Sequence, residues 1–301
     1  MILRDYQQEI VNKGLAVLKK YKFVYLAMEV RTGKTLTSLG IATLTKVKDV
    51  LFITKKKAIS SIADDYDMLE PPYNLEIINY ESLHKIKQTG WDLVVCDEAH
   101  TLGAFPKPNK RAKQIKEIIR RSNPFVILLS GTPTPESYSQ MYHQVYGIPN
   151  NPFKSFKNFY AFSKKYINVK QKFINSIYIN DYTNGLKSIV DEMSPYKLNY
   201  SQKMAGFKTT IDEKVLYVQL SSVCLNLIKK IKRDRVIQGD NEVVLADTGV
   251  KLMSKVHQLC SGTVKFESGK SMIVDNSKAK FIKKYFKNKK IGIFYKFKEE
   301  Y

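Results

Sequence analysis

The chain has 301 residues, of which 44% are hydrophobic and 12% aromatic, so it has enough apolar material for a packed core and does not have the composition of a disordered protein. Lys and Arg outnumber Asp and Glu by 50 to 28, and the net charge of +22 indicates a polyanionic partner, with nucleic acid ahead of an anionic membrane surface. The sequence shows no apolar run that could cross a bilayer and no signal peptide, and Cys96, Cys224 and Cys260 fit neither a disulfide framework nor a zinc cluster. We therefore expect a cytoplasmic protein without a membrane partner.

The N-terminal segment LRDYQQE stands before the first predicted helix. The side-chain amide of Gln7 has a donor and an acceptor that match the N6 and N7 edge of adenine, and Tyr6 or Arg4 can stack on the base or brace it. A glutamine on a helix is more often simply solvated. This segment alone therefore suggests an adenine site without establishing one.

The first 135 residues alternate short apolar runs with longer amphipathic ones, which predicts βαβ units on a parallel sheet. Successive residues are apolar in runs such as Phe125 to Leu129, as in strands that are covered on both faces. The predicted fold class is therefore α/β, with a parallel sheet flanked by helices and the chemistry at the carboxyl ends of the strands. The predicted strands are FVYLAM, VLFIT, LEIINY, WDLVVC and PFVILLS.

The first of these strands runs into EVRTGKT and then into an amphipathic helix, which is the setting of a phosphate-binding loop. Lys34 would supply a mobile positive charge for the β- and γ-phosphates, Gly33 allows close approach of the backbone, and Thr35 offers a hydroxyl to Mg²⁺. Met28 stands where the general pattern has its first glycine. Taken alone, the loop is therefore also compatible with an ordinary strand-to-helix turn.

The run WDLVVCDEAH ends a predicted buried strand in two adjacent carboxylates. Asp97 can hold Mg²⁺ directly or through water, and Glu98 can orient and deprotonate an attacking water. Two acids at a strand end are otherwise simply solvated, but their position after Lys34 makes that explanation the weaker one. The three side chains predict a phosphoryl-transfer site.

The run PFVILLSGTPTPE brings Ser130, Gly131 and Thr132 to the same edge of the predicted sheet. Hydroxyl side chains there can hydrogen-bond the acidic cluster and respond to the presence of a γ-phosphate. The alternative is a polar turn closed by Pro133 and Pro135.

From Asn150 to about Phe207 the sequence becomes rich in lysine and aromatic residues. The spacing of Phe156, Phe159, Phe162 and Tyr166 predicts one face of a helix, which we interpret as core. The interleaved lysines are either a solvated surface or contacts to a phosphate backbone, and both readings stay open. These lysines are Lys154, Lys157, Lys164 and Lys165.

The last third of the chain predicts a strand at KVLYVQL, a helix from Ser221 and a second helix through Leu252, Val256 and Leu259. A lysine-rich helix at 276–288 and a buried strand at IGIFYKF follow. One strand is too little to bury a core, so we expect a second α/β lobe that is incomplete in this chain.

An LRxYQ start, a GKT loop, a DEAH box and an SGTP segment, in this order between residues 3 and 133, resemble the first RecA-like lobe of superfamily 2 helicases. The sequence is most similar to the Swi/Snf-type DNA translocases, particularly the compact versions carried by bacteriophages. KLMSKVHQLCSG and IGIFYKFKEEY resemble the approach to the second lobe and its first strand. The resemblance implies a RecA-like, P-loop NTPase lobe at 1–150, a helical extension at 151–212, a connecting strand and helices at 213–265, and the start of a second RecA-like lobe at 266–301.

The resemblance also implies roles for individual residues. Gln7 would read adenine beside Arg4 and Tyr6, and His100 would couple the nucleotide site to the third motif at Ser130, Gly131 and Thr132. The cofactors would be ATP and Mg²⁺, with the metal held by Thr35 and Asp97. The catalytic set would be Lys34, Asp97, Glu98 and His100, and the loop residues on the nucleotide would be Arg31, Thr32, Gly33, Lys34 and Thr35.

In the same family, loops after the second strand and around the third contact the backbone of one nucleic-acid strand. The matching positions are Thr54, Lys55 and Lys56 and the group Tyr80, Glu81 and Ser82. Hydroxyls, lysines and backbone amides suit sequence-independent phosphate binding. A run of lysines such as 55–57 is otherwise a solvated surface.

The implied function is an ATP-dependent motor that moves on or remodels double-stranded DNA, in the host cytoplasm if a phage encodes it, with replication or recombination proteins as candidate partners. Two alternatives remain open: an RNA helicase of the same superfamily, and a nucleotide-gated DNA-binding protein with little hydrolysis. The family completes its ATP site with arginines from late in the second lobe, and this sequence stops before such a motif. We therefore expect the chain to bind nucleotide better than it hydrolyses it.

Overall fold

The computed structural model describes residues 3–174, 177–207, 212–239 and 241–300. The chain divides into two compact units, Met1–Thr209 and Thr210–Tyr301, called here the first and second unit. The helices of the first unit are α1 (Asp5–Tyr21), α2 (Lys34–Thr45), α3 (Ile59–Leu69), α4 (Lys110–Ser122), α5 (Met141–Gln144), α6 (Phe159–Tyr166) and α7 (Ser188–Met193). Its strands are β1 (Phe23–Met28), β2 (Asp49–Thr54), β3 (Asn74–Asn79), β4 (Leu93–Cys96), β5 (Phe125–Leu129), β6 (Lys170–Ile174), β7 (Ile177–Asp181) and β8 (Lys197–Tyr200).

Six strands of the first unit form one sheet in the order β3-β2-β4-β5-β1-β8, and every neighbouring pair is parallel. The five predicted strands and the α/β class are confirmed. The sixth strand, β8, lies beside β1 and was not predicted, because KLNY is short and has no apolar run. The carboxyl ends of β1, β4 and β5 reach the same edge of the sheet, which is where a parallel sheet collects functional groups.

Alternate residues of each central strand enter two separate apolar cores, one on each face of the sheet. In β1, Phe23 and Tyr25 belong to one core, while Val24 and Leu26 belong to the other. Helices α1, α2 and α3 cover the second face, and α4 and α6 cover the first. This double coverage explains why the strands are apolar at successive positions.

The lysine- and aromatic-rich segment packs as the core interpretation predicted. Phe159, Phe162 and Tyr166 are buried in α6, and Phe156 packs against the same core. The segment is not purely helical, because it also contains the antiparallel hairpin of β6 and β7 and the sheet strand β8.

The second unit holds three α-helices and two short antiparallel hairpins among its described residues. The helices are α8 (Ser222–Asp234), α9 (Gly249–Cys260) and α10 (Ser277–Tyr285), and the strands are β9 (Val236–Gln238), β10 (Val243–Leu245), β11 (Thr263–Lys265) and β12 (Ser271–Ile273). All three predicted helices are confirmed. Their core consists mainly of Cys224, Ile231, Val244 and Leu259.

Two strand predictions in the second unit are wrong. Described residues of KVLYVQL have no regular structure, and Tyr217 is 88% exposed. IGIFYKF likewise forms no strand, and Phe294 is fully exposed. The reason is the same for both: no described strand pairs with either segment, and an apolar run without such a neighbour does not form a strand. The proposed domain boundaries, including the start of a second RecA-like lobe, stay a prediction.

Candidate nucleotide site at the sheet edge

The loop between β1 and α2 is closed by its own hydrogen bonds. Thr32 is fully buried and its hydroxyl donates to the carbonyl of Glu29 at 2.7 Å. Arg31 and Gly33 both have positive φ angles, 63° and 78°. Arg31 is exposed, and the loop delivers Lys34 and Thr35 as the first two residues of α2. The backbone is therefore bent towards the sheet edge in the manner of a phosphate-binding loop.

Gln7 lies directly against this loop. A Cβ atom on Gly33 would collide with the Gln7 amide nitrogen, so a larger residue here would have to displace the Gln7 side chain in addition to adopting a positive φ. The side-chain carbonyl oxygen of Gln7 accepts from the backbone N–H of Arg4 at 2.9 Å. This oxygen has one further lone pair that can accept from another donor. Gln7 is only 4% exposed, so its position is set by packing rather than by solvent.

Lys34 lies within electrostatic reach of both acids. Burial lowers its pKa, whereas the negative charges of Glu98 and Asp97 raise it. Its ammonium group donates to the carbonyl of Glu29 at 3.2 Å. The structure thus brings Lys34, Asp97 and Glu98 together, although β5 separates β1 from β4 in the sheet.

Asp97 is held in place at the end of β4 by two hydrogen bonds to its carboxylate. Thr54 donates its hydroxyl to Oδ2 at 2.7 Å, and the N–H of Glu98 donates to Oδ1 at 2.9 Å. Burial raises the pKa of Asp97, while the Thr54 hydrogen bond and the charge of Lys34 oppose that rise. Tyr80 adds a third anchor, because its hydroxyl donates to the Asp97 carbonyl.

Glu98 has a left-handed backbone, with φ of 50°, which costs about 1 kcal/mol or more for a residue other than glycine. Its carboxylate lies between two side chains: Oε2 is 3.3 Å from His100 Nδ1, and Oε1 is 3.8 Å from Lys55 Nζ. His100 Nδ1 is also 3.0 Å from Ser130 Oγ, which accepts the Thr132 N–H at 3.2 Å. His100 therefore bridges the acidic motif and the third motif.

Sequence reasoning missed a set of contacts that brace the loop from β8 and the turn after it. Tyr6 stacks on Tyr200 with ring centroids 4.8 Å apart, and its hydroxyl donates to the Thr32 carbonyl at 3.2 Å. Gln202 donates its backbone N–H to Glu29 Oε2 at 2.8 Å and its side-chain amide to the Val30 carbonyl at 3.0 Å. Nothing in the local sequence signals this role, since Tyr200 and Gln202 are about 170 residues away from the loop that they support.

The residues expected at nucleic acid fall into two groups. Thr54 and Tyr80 are buried, and their side chains hold Asp97. Lys55 and Lys56 are exposed, and Ser82 is partly exposed next to the Glu81–Arg111 ion pair. Only the second group presents side chains to a partner.

The side chains at this edge fit a magnesium ion that is bound through a nucleotide. The described residues contain no cluster of three or more His, Cys, Asp or Glu side chains that could hold a metal alone. Thr35 and Asp97 offer the hard oxygen donors that Mg²⁺ prefers, so these two residues would hold the ion together with the nucleotide. When bound there, the ion would neutralise phosphate charge.

The six-stranded parallel sheet, the loop before α2 and the acids after β4 define a RecA-like α/β lobe. The sequence profile of the SNF2-related domain matches residues 42–265, and the chain belongs to that family. A comparison with curated proteins found no match.

Solved structures similar to this chain come from Sulfolobus solfataricus and Pyrococcus furiosus. The Sulfolobus solfataricus SWI2/SNF2 ATPase core in complex with dsDNA superposes with a TM-score of 0.53 at 16% identity, over 87% of this chain and 59% of that one. The ATPase core domain of the same protein gives 0.49 at 16% identity, over 87% and 57%. The Pyrococcus furiosus Hef helicase domain gives 0.39 at 22% identity, over 49% and 37%. The chain spans about three fifths of the length of the Sulfolobus core. None of the helices in the described ranges is both long and apolar enough to cross a bilayer.

Proposed function

We propose that this chain is the ATP-binding part of an ATP-dependent motor that acts on double-stranded DNA. The observation that carries the proposal is that Lys34, after β1, and the acids Asp97 and Glu98, after β4, follow strands that end at the same edge of one parallel sheet, where the two negative charges act on Lys34. A nucleotide there would place its β- and γ-phosphates at Lys34 and the N-terminus of α2, and its adenine near Gln7.

Glu98 is the candidate base for the attacking water. Its carboxylate lies between Lys55 and His100, which hold it in position at the sheet edge. Asp97 would support the metal, because Thr54 and the Glu98 N–H fix its orientation. His100 and Ser130 would report the state of the nucleotide to the third motif.

DNA as the partner is supported by charge and by likeness. The net charge of +22 suits a phosphate backbone, and Lys55 and Lys56 are exposed beside the acidic motif. The similar Sulfolobus core was solved in complex with dsDNA.

The first experiment measures nucleotide binding by calorimetry with Mg²⁺, using the chain as it stands. We expect ATP binding that Lys34→Ala weakens at least tenfold, while Lys113→Ala, which removes an exposed lysine on α4, leaves it unchanged. Absence of adenine nucleotide binding would contradict the proposal.

The second experiment measures ATP turnover with and without double-stranded DNA. We expect stimulation by duplex DNA, and a loss of turnover of about a hundredfold or more in Glu98→Gln with nucleotide binding retained. Stimulation by RNA alone would favour the RNA helicase. Negligible turnover combined with an ATP-dependent change in DNA affinity would favour the nucleotide-gated binding protein.

A further inference from the structure

The β6–β7 hairpin, called here the ribbon, is a two-stranded sheet that pairs with no other described strand. Its residues pair in the register Lys172 with Ile179 and Phe173 with Tyr178. The ribbon carries large apolar side chains that are open to solvent: Phe173 is 64% exposed and Tyr178 is 70% exposed. Exposed apolar groups of this size on a strand pair are typical of a surface that binds a partner.

The two faces of the ribbon differ in chemistry. Residues directly opposite each other share a face, so Phe173 and Tyr178 stand together, with ring centroids 4.9 Å apart. The next pair on that face is Gln171 with Asn180, two exposed carboxamides. The opposite face carries Lys172 in an ion pair with Asp181 at 2.7 Å, together with Ile179. One face therefore presents two aromatic rings with hydrogen-bonding amides beside them.

The sequence around the ribbon is positively charged, which favours an anionic partner. Between residues 164 and 187 the chain has five lysines and one acid, Asp181. Aromatic rings stack on nucleobases, amides can pair with base edges, and lysines bind phosphate. Bases inside a duplex are already stacked on each other, so rings can reach only bases that are unpaired.

We propose that the Phe173–Tyr178 face of the ribbon binds unpaired bases of a nucleic acid, as found in a single strand or at a fork. This surface lies outside the nucleotide site and goes beyond the function proposed above for duplex DNA. It requires no ATP, so its failure and the failure of the motor proposal can be distinguished.

The test is binding of the full chain, without nucleotide, to a single-stranded oligonucleotide that contains 2-aminopurine, and to a blunt duplex of the same sequence. We expect quenching of the 2-aminopurine fluorescence on the single strand. Phe173→Ala/Tyr178→Ala should weaken single-strand binding about tenfold or more and change duplex binding by less than about twofold. An equal loss on both probes, or no loss on either, would overturn the proposal.

Matched variants separate stacking from other effects. Tyr217→Ala/Phe294→Ala removes the same two side-chain types at exposed positions in the second unit, and we expect it to change neither affinity. Phe173→Tyr/Tyr178→Phe should retain single-strand binding, because both rings remain. Phe173→Leu/Tyr178→Leu should not restore it, since leucine keeps the apolar surface without a π face. Full binding by the leucine variant would show a general apolar contact and overturn the assignment.

Discussion

Phe125–Leu129 and residues 291–297 are both short apolar segments, yet only the first forms a strand. The first is β5, which lies between β4 and β1 and is covered on both faces. The second forms no strand, and Ile293 is 58% exposed. Strand formation depends on pairing with another strand from elsewhere in the chain, and no described strand of the second unit pairs with residues 291–297.

Helices behave differently, because their hydrogen bonds are local. In the first unit the Asn109 side chain caps α4 by accepting from the Ala112 N–H at 2.9 Å, and in the second unit Ser221 caps α8 by accepting from the Cys224 N–H at 3.3 Å. Both helices begin where the side-chain cap stands. N-cap side chains, which are local signals, therefore mark helix starts in both units. Only the pairing of strands, which is non-local, differs between the two units.

The largest expected effect compares two isoleucines. Ile127 in β5 is fully buried, so Ile127→Ala should lower the free energy of unfolding by about 2–5 kcal/mol. Ile293→Ala should change it by less than about 0.5 kcal/mol. Urea denaturation followed by circular dichroism measures both. A clear loss of stability in Ile293→Ala would show that residues 291–297 are packed in solution.

The second prediction concerns the pH dependence of the first unit. Burial lowers the pKa of His143 to about 4 from its ordinary 6.5, and its Nδ1–H donates to the Ala104 carbonyl at 2.7 Å. Below pH 6.5 His143 becomes protonated in the unfolded chain, whereas in the folded chain it stays neutral down to about pH 4. Stability therefore falls as the pH falls through this window, by about 3 kcal/mol in total.

The His143 prediction is checked by urea unfolding at several pH values, followed by the fluorescence of Trp91, which is buried in the same unit. His143→Phe keeps the aromatic stacking on Phe159 and removes the titrating group, so its stability should depend less on pH than that of the wild type. Identical pH profiles would assign the dependence to other groups.

The third prediction compares two glycines with positive φ. Alanine at either position costs about 1–2 kcal/mol for the left-handed backbone. Gly33→Ala should cost more than Gly269→Ala, because a Cβ at Gly33 meets the Gln7 amide while one at Gly269 meets nothing within 4 Å. Unfolding free energies measure the difference, and Gln7→Ala in the Gly33→Ala background should remove the excess. If the extra cost of Gly33→Ala persists in this double variant, the clash does not involve Gln7.

The smallest expected effect tests whether the N-caps of α4 and α8 contribute equally to stability. Asn109→Ala and Ser221→Ala should each lower the free energy of unfolding by about 1 kcal/mol, because each removes one N-cap hydrogen bond. Urea denaturation resolves such a difference. Similar losses would support the view that the units differ only in their non-local contacts, and markedly unequal losses would refute it.

Several features of the candidate site could be predicted from the sequence, because the order of the motifs and the parallel strands bring the motif residues to the same edge of the sheet. The runs that end at Met28, Cys96 and Leu129 are parallel strands, and parallel neighbours deliver the residues after them to one edge. The support for those residues was not predictable. Thr54 and Tyr80 were expected at nucleic acid, but their side chains hold Asp97, a relation that requires β2, β3 and β4 to be placed side by side.

The amino-acid sequence by itself determined the α/β class, five strands of the first unit and the three α-helices of the second unit, because periodicity and caps act over a few positions. Only the tertiary structure decided that β8 joins the sheet, that Tyr200 and Gln202 brace the loop before Lys34, and that residues 291–297 form no strand. The physical reason is that hydrogen bonds between strands and contacts between distant side chains depend on which partners are present, and a local pattern does not specify its partners.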